Sequence, residues 1–372
     1  MTQNRHLRDL HDLGQSLWLD NISRDLIDNG TLQRYIDEYS ITGLTSNPSI
    51  FDAAIGAGKA YDAGIREKSQ AGKSGEALFM ELALEDLCRA ADLFRPVFDI
   101  DASQPVDSIH RNDGWVSMEV SPLLADDCNG SIEAATRIHR QADRPNLFVK
   151  IPGTPEGVPA IEASIFAGVP INVTLLFSCE QYLAAAEAYL RGIERRIEAG
   201  LDPHVASVAS LFVSRWDVAV KDDVPADLRN KLGIAISGRT YRAYRELLNS
   251  TRWRKLASAG AQPQRLLWAS TGTKDPDASA TLYLEALAAP DTINTVPEKT
   301  LQAFADHGAL AGPMPVDGGD AEAVLARFAA AGIDIDALAI RLQQEGARAF
   351  VKSWQHLLQA ITDKSAALAS AR

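Results

Sequence analysis

The sequence predicts an α/β fold, a (β/α)8 TIM barrel with helical insertions and C-terminal helices. Short β-rich segments alternate with Ala-, Leu- and Glu-rich segments of helical spacing, which argues for βαβ units and a parallel sheet. Eight β-rich segments are present, the number that closes such a barrel. Polar and charged residues recur on one face of several strands, where a barrel interior can hold them.

The first strand is Ser16–Asp20, with Leu17 and Leu19 on one face and Asp20 ending the other. The second is Ile41–Asn47, which runs into Pro48. A long connection over 51–114 follows, with helices around Ile55–Arg66 and Gly75–Ala91. Trp115–Ser121 is the third strand and Leu147–Gly153 the fourth, separated by a helix over Ser131–Arg144. Ile171–Phe177 is the fifth, followed by a helix over Cys179–Ala199; His204–Val213 is the sixth. A second helical insertion spans 215–264 and centres on Lys231–Ala259. Arg265–Thr271 and Thr292–Pro297 complete the set, with a helix over Asp277–Leu287 between them. A Gly/Pro connector, Gly312–Gly319, precedes helices over Ala321–Ala331, Ile335–Glu345 and Ala347–Leu368. The expected organisation is one barrel domain over 1–372, with a C-terminal extension from about 298.

Composition narrows the function. The 372 residues include 37 Lys+Arg and 49 Asp+Glu, a net charge of −12 that disfavours nucleic acid as a partner. Cys88, Cys128 and Cys179 form no CxxC, zinc spacing or disulfide framework, which points to a reducing cytoplasm. No apolar run approaches the length of a membrane span, and the polar stretch Met1–Asp12 is not expected to be a signal peptide. No His/Asp/Glu group has metal-ligand spacing; His6 and His11 read as solvated, and His204 as opening a strand. Gly56–Lys59 and Gly72–Ser74 lack the glycine spacing of a phosphate loop and read as turns or helix ends. Ser207 and Ser210 have no GxSxG elbow, which disfavours a serine hydrolase.

The alternation within strands locates the chemistry. Leu147, Val149 and Ile151 share one face, while Phe148 and Lys150 share the other. Val116, Met118 and Val120 alternate in the same way with Ser117 and Glu119; Ile171, Val173 and Leu175 alternate with Asn172 and Thr174. The apolar set suits the helix side, so Asp20, Glu119 and Lys150 should converge inside the barrel near the C-terminal strand ends, where such barrels carry active sites. A structural ion pair in a polar core is the bland alternative. The reactive alternative is a lysine between two carboxylates. Desolvation favours a neutral amine, which condenses with a ketone to give a Schiff base. Two carboxylates can then divide the proton transfers, and Asn47 and Asn172 offer amides to a hydroxylated substrate.

On these segments the chain resembles the transaldolase family, in its longer bacterial type. The stretches that carry the resemblance are LWLDNISRDLI around Asp20, Gly43–Phe51 (GLTSNPSIF), Val116–Asp127 (VSMEVSPLLADD), Asn146–Phe177, Ala209–Asp217 (ASLFVSRWD) and Trp268–Pro276 (WASTGTKDP). The resemblance implies a class I aldolase barrel with the Schiff-base lysine on the fourth strand, which is Lys150. It makes Glu119 the acid/base acting through a water at the imine step, and Asp20 the acid/base at the substrate hydroxyls. Asn47 and Asn172 would hold the dihydroxyacetone unit, and Thr174 would place a hydroxyl near the catalytic water. Ser210 and Arg215 would bind phosphate. Shorter relatives carry a second arginine after the seventh strand; here Ser270–Lys274 (STGTK) offers Lys274, a point charge without the arginine fork. The substrates implied are sugar phosphates, with no cofactor and no metal, because the imine itself is the electron sink. A lyase that releases free dihydroxyacetone, or a non-catalytic phosphosugar-binding barrel, are the alternative readings. Oligomeric state is not legible.

Overall fold

The computed structural model describes residues 3–102 and 113–370. Helix α1 (Arg5–Asp12) leads into β1 (Gln15–Asp20), followed by α2 (Arg24–Asp28), α3 (Thr31–Glu38) and β2 (Ile41–Thr45). Three helices, α4 (Pro48–Ala57), α5 (Asp62–Gln70) and α6 (Gly75–Ala102), then precede β3 (Trp115–Glu119). The chain continues through α7 (Cys128–Ala142), β4 (Leu147–Pro152), α8 (Gly157–Phe166), β5 (Ile171–Leu176), α9 (Cys179–Glu198) and β6 (Ser207–Phe212). Helices α10 (Ser214–Val220), α11 (Leu232–Leu248) and α12 (Thr251–Ser258) lead to β7 (Arg265–Ala269), α13 (Leu282–Ala286) and β8 (Thr292–Val296). The tail is α14 (Glu298–His307), α15 (Ala321–Ala330) and α16 (Ile335–Ser370). The eight strands form a closed barrel in the order β1 to β8, parallel throughout, with β8 pairing back to β1. No described helix is long and apolar enough to cross a membrane.

Contacts between non-adjacent strands identify the inward face. Asn172 on β5 reaches past β4 to Ser117 on β3, and Trp18 on β1 meets Phe148 on β4. These are the residues whose alternation predicted an interior position. The outward set, including Leu17, Leu19, Val116, Val149 and Ile171, is buried beneath the helices.

The interior is layered. At the N-terminal end Arg265 pairs with Asp113 at 3.6 Å and donates to Ser16 and the Thr292 carbonyl. Above it Trp115 stacks on Phe148 with ring centroids 4.0 Å apart, and Trp18 lies beside them. Gly43 makes room for this layer, because a Cβ there would lie 2.5 Å from the Trp18 ring. The next layer is polar and carries the candidate site.

Several elements differ from the sequence expectation. The polar N-terminus forms α1 and buries Leu7 and Leu10. The helix expected over Ile55–Arg66 is two, because α4 ends before Gly58 and α5 begins at Asp62. Likewise Lys231–Ala259 divides where Ser250 caps the Trp253 amide and starts α12. Asp277–Leu287 shrinks to α13: Asp275 and Ser279 accept from the amides of Asp277 and Thr281, a local alternative to helix. His204 precedes β6 and is exposed instead of opening the strand. The segments Ile335–Glu345 and Ala347–Leu368 join across Gly346 into the single helix α16. Residues 103–112 of the predicted connection over 51–114 lie outside the described residues.

Candidate active site

The strand ends bring the predicted residues together. Glu119 and Lys150 are register partners on β3 and β4, and Lys150 is the register partner of Asn172 on β5. Lys150 Nζ lies 3.5 Å from Glu119 Oε2 and donates to the Ser46 carbonyl at 3.0 Å. Both side chains are buried. Among the described residues neither Glu119 oxygen has a hydrogen-bond partner beyond this ion pair. Burial pushes the Glu119 carboxyl above its ordinary range; the Lys150 charge opposes this, and Asp20 adds to it.

Asp20 ends β1 on the same side. Its Oδ1 accepts from Thr45 at 2.8 Å, and Thr45 shares a 2.6 Å hydroxyl contact with Thr295 on β8. Burial raises the Asp20 carboxyl, against the pull of Lys150, Thr45 and Lys274. Two acids with raised affinity for protons therefore flank one amine. Such a pair suits proton transfer near neutral pH.

A cavity of about 660 Å³ opens over this layer, and its lining includes Asp20, Asn47, Lys150, Thr174, Ser210, Arg215 and Lys274. Asn47 is also the N-cap of α4: its Oδ1 accepts from Ile50 N at 3.2 Å, which fixes the amide at the rim. Thr174 has a buried hydroxyl with no hydrogen-bond partner among the described residues. Asn172 lies beneath, held on both sides: its Nδ2 donates to Ser117 at 3.1 Å, and its Oδ1 accepts from Ser210 at 2.7 Å. Ser210 thus orients the Asn172 amide while it lines the cavity.

Arg215 and Lys274 bring positive charge to the cavity. No carboxylate among the described residues lies within ion-pair distance of either. The Arg215 guanidinium faces the rings of Phe212 and Phe350 at 5.2 and 5.8 Å, and burial lowers its proton affinity. Sequence reasoning missed Ser270, Phe350 and Thr45 in this lining. Ser270 follows β7 at a φ of 57°, a position that non-glycine residues adopt rarely, and contacts Ser214 at 3.0 Å. Its place in STGTK beside Lys274 was the available signal. Phe350 had none, being 135 positions beyond Arg215 in the chain (350 − 215).

The site therefore combines a buried amine, two flanking acids, oriented amides and two cations in and directly beneath one cavity. Residues 17–361 match the family described as Transaldolase/Fructose-6-phosphate aldolase. The chain belongs to that family. A protein of Saccharopolyspora erythraea named Transaldolase is 42% identical, over 98% of this chain and 99% of its own length. One of Thiobacillus denitrificans, also named Transaldolase, is 43% identical over 95% and 99%. A protein of Nostoc punctiforme named Transaldolase 2 is 38% identical over 96% and 97%. The family match runs from within β1 through β8 to most of α16, so it includes every residue predicted for the site.

Proposed function

We propose that the chain is a transaldolase that moves a dihydroxyacetone unit from sedoheptulose 7-phosphate to glyceraldehyde 3-phosphate, giving erythrose 4-phosphate and fructose 6-phosphate. The observation that carries this reading is the Lys150–Glu119 pair, buried at the strand ends with Asp20 lining the same cavity. Lys150 Nζ attacks the C2 ketone to give a carbinolamine, and loss of water gives the imine. Glu119 moves protons in this step through a water, and the buried Thr174 hydroxyl, without a partner among the described residues, would hold that water. Asp20 then takes the proton from the C4 hydroxyl. The C3–C4 bond breaks, erythrose 4-phosphate leaves, and the electron pair is held in the enamine on Lys150.

The enamine adds to the aldehyde carbon of glyceraldehyde 3-phosphate, and Asp20 returns a proton to the new hydroxyl. Hydrolysis of the imine, with Glu119 again moving the protons, frees fructose 6-phosphate and the amine. Asn47 and Asn172 hold the three-carbon unit. Arg215 binds the phosphate as a fork, and Lys274 adds a point charge. Transfer is favoured over release as free dihydroxyacetone because relatives matched along nearly their full length carry the name Transaldolase. The three free cysteines favour a reducing, cytoplasmic setting, and the four sugar phosphates named are those of the pentose phosphate pathway.

The test is borohydride reduction in the presence of fructose 6-phosphate, followed by peptide mapping. The expected result is a three-carbon adduct on Lys150. An adduct elsewhere, or none, overturns the assignment. Steady turnover of fructose 6-phosphate without an aldehyde acceptor would instead indicate the lyase.

A further inference from the structure

Arg215 is the least conventionally held charge in the site. A buried or half-buried arginine is ordinarily oriented by a carboxylate, which occupies its donors. Here aromatic rings take that place. Phe212 ends β6, three residues before Arg215 in the first turn of α10, but Phe350 comes from α16, the last helix of the chain. Aromatic faces attract a guanidinium without accepting its in-plane N–H groups. The fork is therefore oriented while its donors remain available to an anion.

Helix α16 is fixed over the barrel mouth by a neighbouring residue. The buried Gln343 side chain donates from Nε2 to the carbonyls of Gly153 and Leu175, both at 2.9 Å. The first lies just past β4 and the second within β5, the strands of Lys150 and Thr174. Leu175 has a φ of 58°, and the β5–β6 register shifts between Val173 and Leu176, so this is an irregular strand end held from outside. One turn on from Gln343 is Gly346. A Cβ there would lie 3.0 Å from Leu175 Cδ2 and 3.2 Å from Arg215 Nη1, tighter than an ordinary contact. One further turn brings Phe350, which lines the cavity. Residues i, i+3 and i+7 share one helix face.

We propose that this face of α16, formed by Gln343, Gly346 and Phe350, positions the Arg215 guanidinium and thereby sets the preference for phosphorylated over unphosphorylated sugars. Gln343 fixes the height of the helix, Gly346 leaves the space that the guanidinium occupies, and Phe350 supplies the ring against which it lies. These are positioning residues; the anion itself is bound by Arg215. The inference rests on the transaldolase reading of the cavity and adds a selectivity determinant to it.

The experiment compares fructose 6-phosphate with unphosphorylated fructose. The borohydride-trapped adduct on Lys150 is measured against sugar concentration, and the ratio of the two half-saturation concentrations gives the phosphate preference. Phe350→Leu keeps apolar volume and removes the ring; its preference is expected to fall about tenfold, the loss of a desolvated cation–π contact. Phe350→Tyr should restore the preference, which a merely structural role would not require. Gly346→Ala should lower it as well, by displacing Arg215, and Phe350→Leu decides alone should that variant fail to fold. Wild-type preference in folded Phe350→Leu overturns the inference and leaves the transaldolase reading standing. Absence of any Lys150 adduct in the wild-type protein overturns both.

Discussion

Two buried ion pairs occupy opposite ends of the same barrel. At the N-terminal end Arg265 and Asp113 lie 3.6 Å apart, and at the C-terminal end Lys150 and Glu119 lie 3.5 Å apart. Both are almost entirely removed from solvent. They differ in what surrounds them. Arg265 donates to Ser16 and the Thr292 carbonyl, while Asp113 accepts from Ser16 at 2.9 Å and from the Trp18 indole at 3.3 Å. Glu119 makes no hydrogen bond among the described residues, and Lys150 makes one, to Ser46. A cavity opens beside the second pair. A pair held by neighbours on both sides is suited to stability, whereas one left short of partners beside a cavity can exchange protons and meet a substrate.

The sharpest way to break this comparison is Lys150→Met. Turnover should fall by more than roughly 10⁴-fold, because the amine between Glu119 and Asp20 is the one read as forming the imine, and Lys274 lies after β7 on the phosphate side of the cavity. Stability should change little, since Glu119, already biased toward its protonated form, can take up a proton in place of its partner. Thermal melting alongside an activity assay checks both halves. Glu119→Gln should follow, with kcat lowered by about 10² to 10⁴, the range for loss of a general acid/base. Because Lys150 remains, slow formation of the borohydride adduct should persist in this variant; an unchanged trapping rate would remove Glu119 from the imine step.

Arg265→Met probes the other end. It takes the guanidinium from Asp113, Ser16 and the Thr292 carbonyl, and should cost about 3–5 kcal/mol of unfolding free energy in a urea titration. Below its melting point the variant should still form the Lys150 adduct, since the aromatic layer separates the two ends.

Asp217 sharpens the contrast from between these extremes. It is a buried acid that accepts from the amides of Leu232 and Gly233 and from the Tyr283 hydroxyl, with no cation among the described residues in ion-pair distance. Burial outweighs these bonds and raises its pKa from 3.8 to about 6. In that window the folded state holds the proton more tightly than the unfolded chain, so the stabilisation is present below about pH 4 and is lost as pH rises through 6. The wild-type protein should lose on the order of 3 kcal/mol relative to Asp217→Asn across this range. Parallel pH–stability curves for the two proteins would show that Asp217 is not the group responsible.

Much of the site could be read directly. Lys150, Glu119, Asp20 and Asn172 stood out because each breaks an apolar run at a fixed parity, and parity decides which way a strand residue points. Asn47 was legible as an amide for the substrate but not as a helix cap: the expected helix began near Ile55, whereas α4 starts at Pro48 with Asn47 as its cap. Ser210 was legible as a site residue but its bond to Asn172 was not, because side-chain pairing across β5 and β6 depends on barrel register. Phe350 and Gln343 were invisible as site residues. In a helix they read only as members of an apolar face, and periodicity does not say what that face covers.

Local pattern alone was enough to specify the barrel and the polar residues along its axis. A two-residue repeat is a local property, so eight short stretches suffice to specify eight strands and their inward polar residues. How α16 covers the mouth and lies against Arg215 was set by long-range packing instead. Those features depend on contacts between α16 and strands more than 160 residues earlier, set by packing after the chain has closed on itself rather than by any local pattern.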